Sequence, residues 1–113
     1  MARYAPERGE LVWLDFDPPA GHEQAGKRPA LVLSPKAYNQ RTSLALIVPV
    51  TNRIKGYPFE VPIPSGHPVT GIVLADQAKS LSWQEHGAEL VCAAPPAVTR
   101  ETKGKLRALL QLQ

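Results

Sequence analysis

The chain predicts a mainly β fold with one C-terminal helix, a small, strongly bent antiparallel barrel of about six or seven strands. Three observations carry this. The 12 prolines are spread over the whole length, which cuts the chain into short segments and disfavours long helices. Short apolar runs recur between Gly, Pro, Asn and Ser signals, as strands do. Only after Pro95-Pro96 does the apolar period lengthen to that of a helix.

Residues 11–16 read as the first strand, with Leu11, Trp13 and Asp15 on one side and Val12, Leu14 and Phe16 on the other; Pro18-Pro19 ends it. Residues 30–34 form a continuous apolar run between Pro29 and Pro35, which predicts burial on both faces. A short helical or turn connection is expected over 35–41. Further strands are expected at 44–50, 59–63 and 71–75, with two more at 79–83 and 90–93. The connections are too short for crossover helices, so the sheet is expected to be mostly antiparallel. In the last segment Val98, Thr102, Leu106, Leu109 and Leu110 recur at helical spacing. Gly104 costs that helix roughly 1 kcal/mol relative to alanine, so it depends on docking against the sheet.

At 113 residues, 43% apolar and 20% charged, the chain has the composition of one globular domain spanning residues 1–113. The single cysteine, Cys92, can form no internal disulfide and lacks the partners of a zinc site, which points to a reducing compartment. No run approaches the ~18 apolar residues that would span a bilayer, and Met1 leads into Arg3, Tyr4 and Pro6. A cytoplasmic protein that uses no membrane is expected. The net charge is +3, and all of it lies in residues 1–57, where eight cations face five acids. Any surface for a polyanion is therefore expected there.

The first two strands are joined by a segment rich in functional groups, Gly21-His22-Glu23-Gln24-Ala25-Gly26-Lys27-Arg28-Pro29. A connection of this length and polarity buries little and has an ordering cost, so function is one reading and a solvated loop the other. Together with Gly9-Glu10-Leu11-Val12-Trp13-Leu14-Asp15-Phe16-Asp17-Pro18 before it and Ala30-Leu31-Val32-Leu33-Ser34-Pro35 after it, the segment resembles the MazF and PemK toxins of bacterial toxin–antitoxin pairs. Pro49-Val50-Thr51, Lys55-Gly56-Tyr57-Pro58-Phe59-Glu60-Val61 and Gly71-Ile72-Val73-Leu74-Ala75-Asp76-Gln77-Ala78-Lys79-Ser80 resemble the family in the same order. The pattern over 55–61 is most similar to that of the MazF branch.

The resemblance implies an SH3-like barrel and a sequence-specific endoribonuclease toxin that cuts single-stranded RNA without metal or other cofactor. The RNA's own 2′-hydroxyl would attack, leaving 2′,3′-cyclic phosphate and 5′-hydroxyl ends. The residues accord with this. A nucleophile supplied by the substrate removes the need for a Ser-His-Asp or Cys-His pair, and none is found. The protein must supply a proton acceptor, a proton donor and compensation for charge on the phosphorane.

Arg28 matches the family's catalytic arginine, and its planar fork of donors suits two phosphate oxygens at once. A guanidinium rarely yields a proton, so charge stabilisation is the role assigned to it. Thr51 matches the catalytic threonine or serine; without the resemblance it reads as an ordinary turn former at a strand end. Glu23 is the candidate general base, with His22 and Arg28 as the other readings of the proton acceptor. Candidate RNA-binding residues are His22, Gln24, Lys27, Asn52, Lys55, Asp76, Gln77 and Lys79. Asp76 reads equally as a buried acid satisfying backbone donors. Asp15 and Asp17 make a poor metal site and are assigned to structure. Trp13, Trp83, Tyr57 and Phe59 can stack bases, though packing accounts for most of them.

Two rival functions remain at this level. A toxin of the CcdB type shares the barrel but poisons gyrase; its Trp-Gly-Ile ending is replaced here by Leu110-Gln111-Leu112-Gln113. A nucleic-acid-binding barrel without activity is the other. The family further implies a homodimer and a cognate MazE-like antitoxin whose acidic, flexible tail competes for the RNA groove. Residues 52–54 and 66–70 vary in the family and carry the base preference.

Overall fold

The computed structural model describes residues 4–16 and 26–112. They form β1 (Glu10–Asp15), β2 (Lys27–Val32), α1 (Lys36–Thr42), β3 (Leu44–Thr51), β4 (Glu60–Pro62), β5 (Ile72–Leu74), a 3-10 turn (Ala75–Gln77), β6 (Lys79–Ser82), β7 (Glu89–Ala93) and α2 (Pro96–Leu110). Every strand pairing is antiparallel, as the short connections required. The hydrogen-bonded order is β4-β5-β3-β2-β1-β7, with β6 joined to β3. Among the described residues this ladder is open between β4 and β7, so the expected barrel is a bent sheet that does not close.

The bend has a local cause. Val50 faces Val73 and Thr51 faces Ile72, whereas Ile47 faces Lys79 and Leu44 faces Ser82. The run from β5 to β6 thus follows one edge of β3, and the 3-10 turn inserts three extra residues opposite Val48 and Pro49. An insertion of this kind kinks a strand and increases its twist. Pro49, which has no N–H to give to a ladder, stands where the ladder is interrupted.

Both faces of the central strands are buried. Leu11, Leu31, Val48, Val50, Val61 and Val73 pack on one side, where Val98 and Leu106 of α2 cover them. Val12, Leu14, Ala30, Val32, Ala45 and Ile47 pack on the other against Ala5 and Trp83. The continuous apolar run of β2 predicted this, and Ala30, Leu31 and Val32 are all fully buried. Asn39 of α1 locks the second side: its amide donates to the carbonyls of Pro6 (2.8 Å) and Ser34 (3.0 Å) and accepts from the Ser34 hydroxyl (2.6 Å).

Two expectations need correction. β2 starts at Lys27 and ends at Val32, earlier at both ends than the predicted 30–34, because Lys27, Arg28 and Pro29 pair with Asp15, Leu14 and Trp13 of β1. Their polarity and proline suggest a loop, but these positions lie beyond the last pair between β2 and β3, Ala30 with Pro49. A strand position with one open edge tolerates proline and charge. In α2, Val98 and Thr102 are buried as expected, whereas Leu109 and Leu110 remain exposed at 46% and 61%. The helix packs chiefly on the 3-10 turn and β4.

Candidate functional site

Arg28 and Thr51 lie on adjacent strands, just past the end of the β2–β3 ladder. Ala30 faces Pro49 in the last β2–β3 pair, and Arg28 and Thr51 each stand two residues beyond it. Side chains alternate along a strand, so both lie on the face paved by Ala30, Val32 and Ile47, at the end where it opens to solvent. Arg28 is exposed and Thr51 half-buried. Lys79 pairs with Ile47 and shares that face. Its ammonium lies 4.9 Å from the Phe16 ring centroid, a cation–π contact that steadies the cation at the rim. The Phe16 ring in turn meets His86 at 5.6 Å.

Thr51 ends β3 at the mouth of a cleft of about 160 Å³ lined by Arg53, Lys55, Tyr57, Glu60, Leu74 and Gln77. Its hydroxyl oxygen accepts the Arg53 N–H at 3.1 Å. With one lone pair so engaged, the hydroxyl proton stays available for an anionic oxygen in the cleft. Gly71 allows the backbone to pass close by: its φ is +117°, and a Cβ there would stand 2.4 Å from the Thr51 carbonyl oxygen. Asn52 is held beside it, accepting from the Thr70 hydroxyl at 3.3 Å.

Lys27 lies apart from this group. The same alternation that puts Arg28 on the face of Ala30 and Val32 sends its neighbour to the opposite face, where the ammonium is ion-paired with Glu89 of β7. The hydrogen bond to the Glu89 carboxylate, and that group's charge, hold the Lys27 ammonium above the usual lysine range. Lys55 and Gln77 line the cleft, whereas Asp76 is exposed and is not the buried acid that was one reading of it. His22, Glu23 and Gln24 lie outside the described residues, as does Asp17. Among the described residues no three His, Cys, Asp or Glu side chains converge as a metal site would require.

Glu60 escaped sequence reasoning as an individual residue. Its carboxylate accepts the N–H groups of Lys55 (2.9 Å) and Gly56 (3.0 Å) and so holds the loop that forms one wall of the cleft. The signal is a lone acid between Phe59 and Val61, shortly after a Lys-Gly pair, at the start of a strand. Arg53, the cation nearest Thr51 in sequence, was read only as part of a variable segment.

What the site can do chemically follows from its charges. A cleft lined by the Thr51 hydroxyl, Arg53 and Lys55, with Arg28 on the neighbouring strand β2, suits a phosphodiester, and Tyr57 supplies an aromatic ring for a base. The comparisons agree. Residues 7–110 match the family model described as PemK-like, MazF-like toxin of type II toxin-antitoxin system. The chain is 47% identical over 110 residues to the endoribonuclease toxin MazF of Escherichia coli K12, covering 97% of this chain and 98% of that one. It is 36% identical to the endoribonuclease PemK of Escherichia coli, covering 92% and 81%. A crystal structure of MazE-MazF from Deinococcus radiodurans superposes with a TM-score of 0.92 at 54% identity, covering 98% of this chain and 100% of that one. The chain belongs to the PemK-like, MazF-like family of type II toxin–antitoxin toxins.

Proposed function

We propose that this protein is a sequence-specific endoribonuclease toxin that cuts single-stranded messenger RNA in the cytoplasm, without a metal ion, and is silenced by a cognate antitoxin. The observation that supports the reading is that Arg28 and Thr51 lie on adjacent strands, each two residues beyond the last β2–β3 pair, Ala30 with Pro49, and on the same face by alternation. The near-full-length likeness to proteins named endoribonucleases supports it.

In the proposed reaction the 2′-oxygen of the RNA bonds to the adjacent phosphorus and the P–O5′ bond breaks. The 2′-hydroxyl proton passes to a general base, Glu23 being the candidate, and a proton is delivered to the departing 5′-oxygen. Arg28 binds two phosphate oxygens through its guanidinium fork as charge builds on them. The Thr51 hydroxyl donates to a non-bridging oxygen. Lys79, Lys55 and Gln77 hold the flanking nucleotides, with Tyr57 as a stacking surface. The acidic tail of the antitoxin competes for the same cations, and two copies of the chain form the active dimer.

The test is cleavage of a long unstructured transcript by variants. Arg28→Ala should lower kcat about a thousandfold and Thr51→Ala about a hundredfold, with the fold intact by circular dichroism. Arg28→Lys, which keeps the charge and loses the fork, should recover only part of the loss. Wild-type activity in Arg28→Ala would refute the site.

A further inference from the structure

We infer that Glu60 is a positioning residue for RNA: by clamping the loop 52–59 it sets substrate affinity and base preference, and leaves the chemical step to other residues. The inference rests on the endoribonuclease reading above.

Glu60 opens β4 and pairs with Leu74 of β5, so its backbone is fixed by the sheet. From that anchor the side chain reaches back over the loop. One carboxylate oxygen accepts the Lys55 N–H at 2.9 Å and the other accepts the Gly56 N–H at 3.0 Å. The Glu60 N–H donates to the Tyr57 carbonyl at 3.2 Å, which closes the turn. Gly56 has φ +85°, a conformation few other residues adopt, and successive N–H groups in such a turn converge on one anion. Here the anion is the protein's own carboxylate. Both bonds involve a charged acceptor, which places them among the stronger hydrogen bonds of a protein.

The clamp matters for what the loop carries. Arg53, Lys55 and Tyr57 all line the cleft that begins at Thr51, and the Lys55 ammonium lies 6.0 Å from the Tyr57 ring centroid. A cation beside an exposed aromatic ring suits one nucleotide, phosphate on the first and base on the second. With Glu60 in place these side chains are arranged before RNA arrives. Without it the two amides turn to water, and the cost of ordering the loop falls on binding. Arg28 and Thr51 stand on β2 and β3, which the clamp does not hold, and the bond from Arg53 to Thr51 spans only two residues and survives its loss.

The experiment compares wild type, Glu60→Ala, Glu60→Gln and Arg28→Ala. Cut sites are first mapped on a long transcript, and steady-state kinetics then use an oligoribonucleotide carrying one of them. Glu60→Ala should raise KM about tenfold, equivalent to about 1.4 kcal/mol of binding, with kcat within about twofold of wild type. It should also cut the transcript at additional sites. Glu60→Gln keeps one acceptor oxygen and should fall between the two, about threefold up in KM; it carries the test if Glu60→Ala does not fold. A fall in kcat at constant KM, or unchanged KM and cut sites in a wild type that cleaves, overturns this inference alone. A wild type that cuts no RNA, or an Arg28→Ala variant that cuts as well as wild type, overturns the reading beneath it.

Discussion

Replacing Gly71 with alanine forces a methyl group against the backbone of Thr51, and the structure allows the consequence to be worked out. The new Cβ would lie 2.4 Å from the Thr51 carbonyl oxygen, 2.9 Å from Asn52 Oδ1 and 3.0 Å from the Thr51 carbonyl carbon. Two costs add. A φ of +117° is strained for any residue with a Cβ, at about 1–3 kcal/mol. The clash then requires backbone movement, since neither Thr51 atom belongs to a flexible side chain, for a further 1–3 kcal/mol or so. Gly66 separates the two, because its φ is +94° and nothing stands within 4 Å of its Cβ position. Urea denaturation should show Gly66→Ala losing about 1–2 kcal/mol and Gly71→Ala about 4, with melting temperatures lower by about 4 °C per kcal/mol. Because the displaced backbone carries the Thr51 hydroxyl, Gly71→Ala should also lower kcat by about tenfold or more. Equal stability of the two variants, or Gly71→Ala cleaving RNA at the wild-type rate, would refute the reasoning.

Other substitutions test the packing beneath the site. Gly104→Ala, inside α2 with open space around its Cβ position, should stabilise the protein by about 1 kcal/mol in the same denaturation assay; a loss would contradict the exposed placement. Asn39→Ala strips three hydrogen bonds from buried groups around Pro6 and Ser34 and should cost about 3 kcal/mol, with a loss below 1 contradicting that network. Glu7 accepts the N–H groups of Lys36 and Arg8, and these bonds hold its carboxyl below its ordinary value of 4.5. A lowered folded-state pKa contributes stability above the unfolded value and loses it as pH falls through the folded one. Wild type should therefore exceed Glu7→Gln in stability at pH 7, and the gap should shrink on acidification below about pH 4.5; a gap independent of pH would contradict the assignment.

Much of the fold was legible because burial writes a period into the chain. The strand positions followed from alternation and turn residues, and α2 from the spacing of Val98, Thr102 and Leu106. What stayed hidden depended on register. Lys27, Arg28 and Pro29 have the composition of a loop, and only their pairing with β1 makes them a strand. That pairing also sends Lys27 and Arg28, neighbours in the sequence, to opposite faces of the sheet. Thr51 was nominated by family resemblance alone. Its nearness in the fold to the strand that carries Arg28 rests on the pairing of Ala30 with Pro49, a long-range contact that no local pattern encodes. Glu60 was overlooked for a related reason, since its partners are backbone amides and carry no side-chain signature.

The central claim is that the substrate supplies the nucleophile while Arg28 and Thr51 stabilise the phosphate. The most direct measurement is the cleavage of an oligoribonucleotide, in EDTA, that carries a single 2′-deoxy nucleotide on the 5′ side of the cut. The account predicts that the all-ribose strand is cut to 2′,3′-cyclic phosphate and 5′-hydroxyl ends, and that the single 2′-deoxy substitution abolishes cutting. Cleavage of the 2′-deoxy strand at the same bond, or products with 5′-phosphate ends, would contradict it.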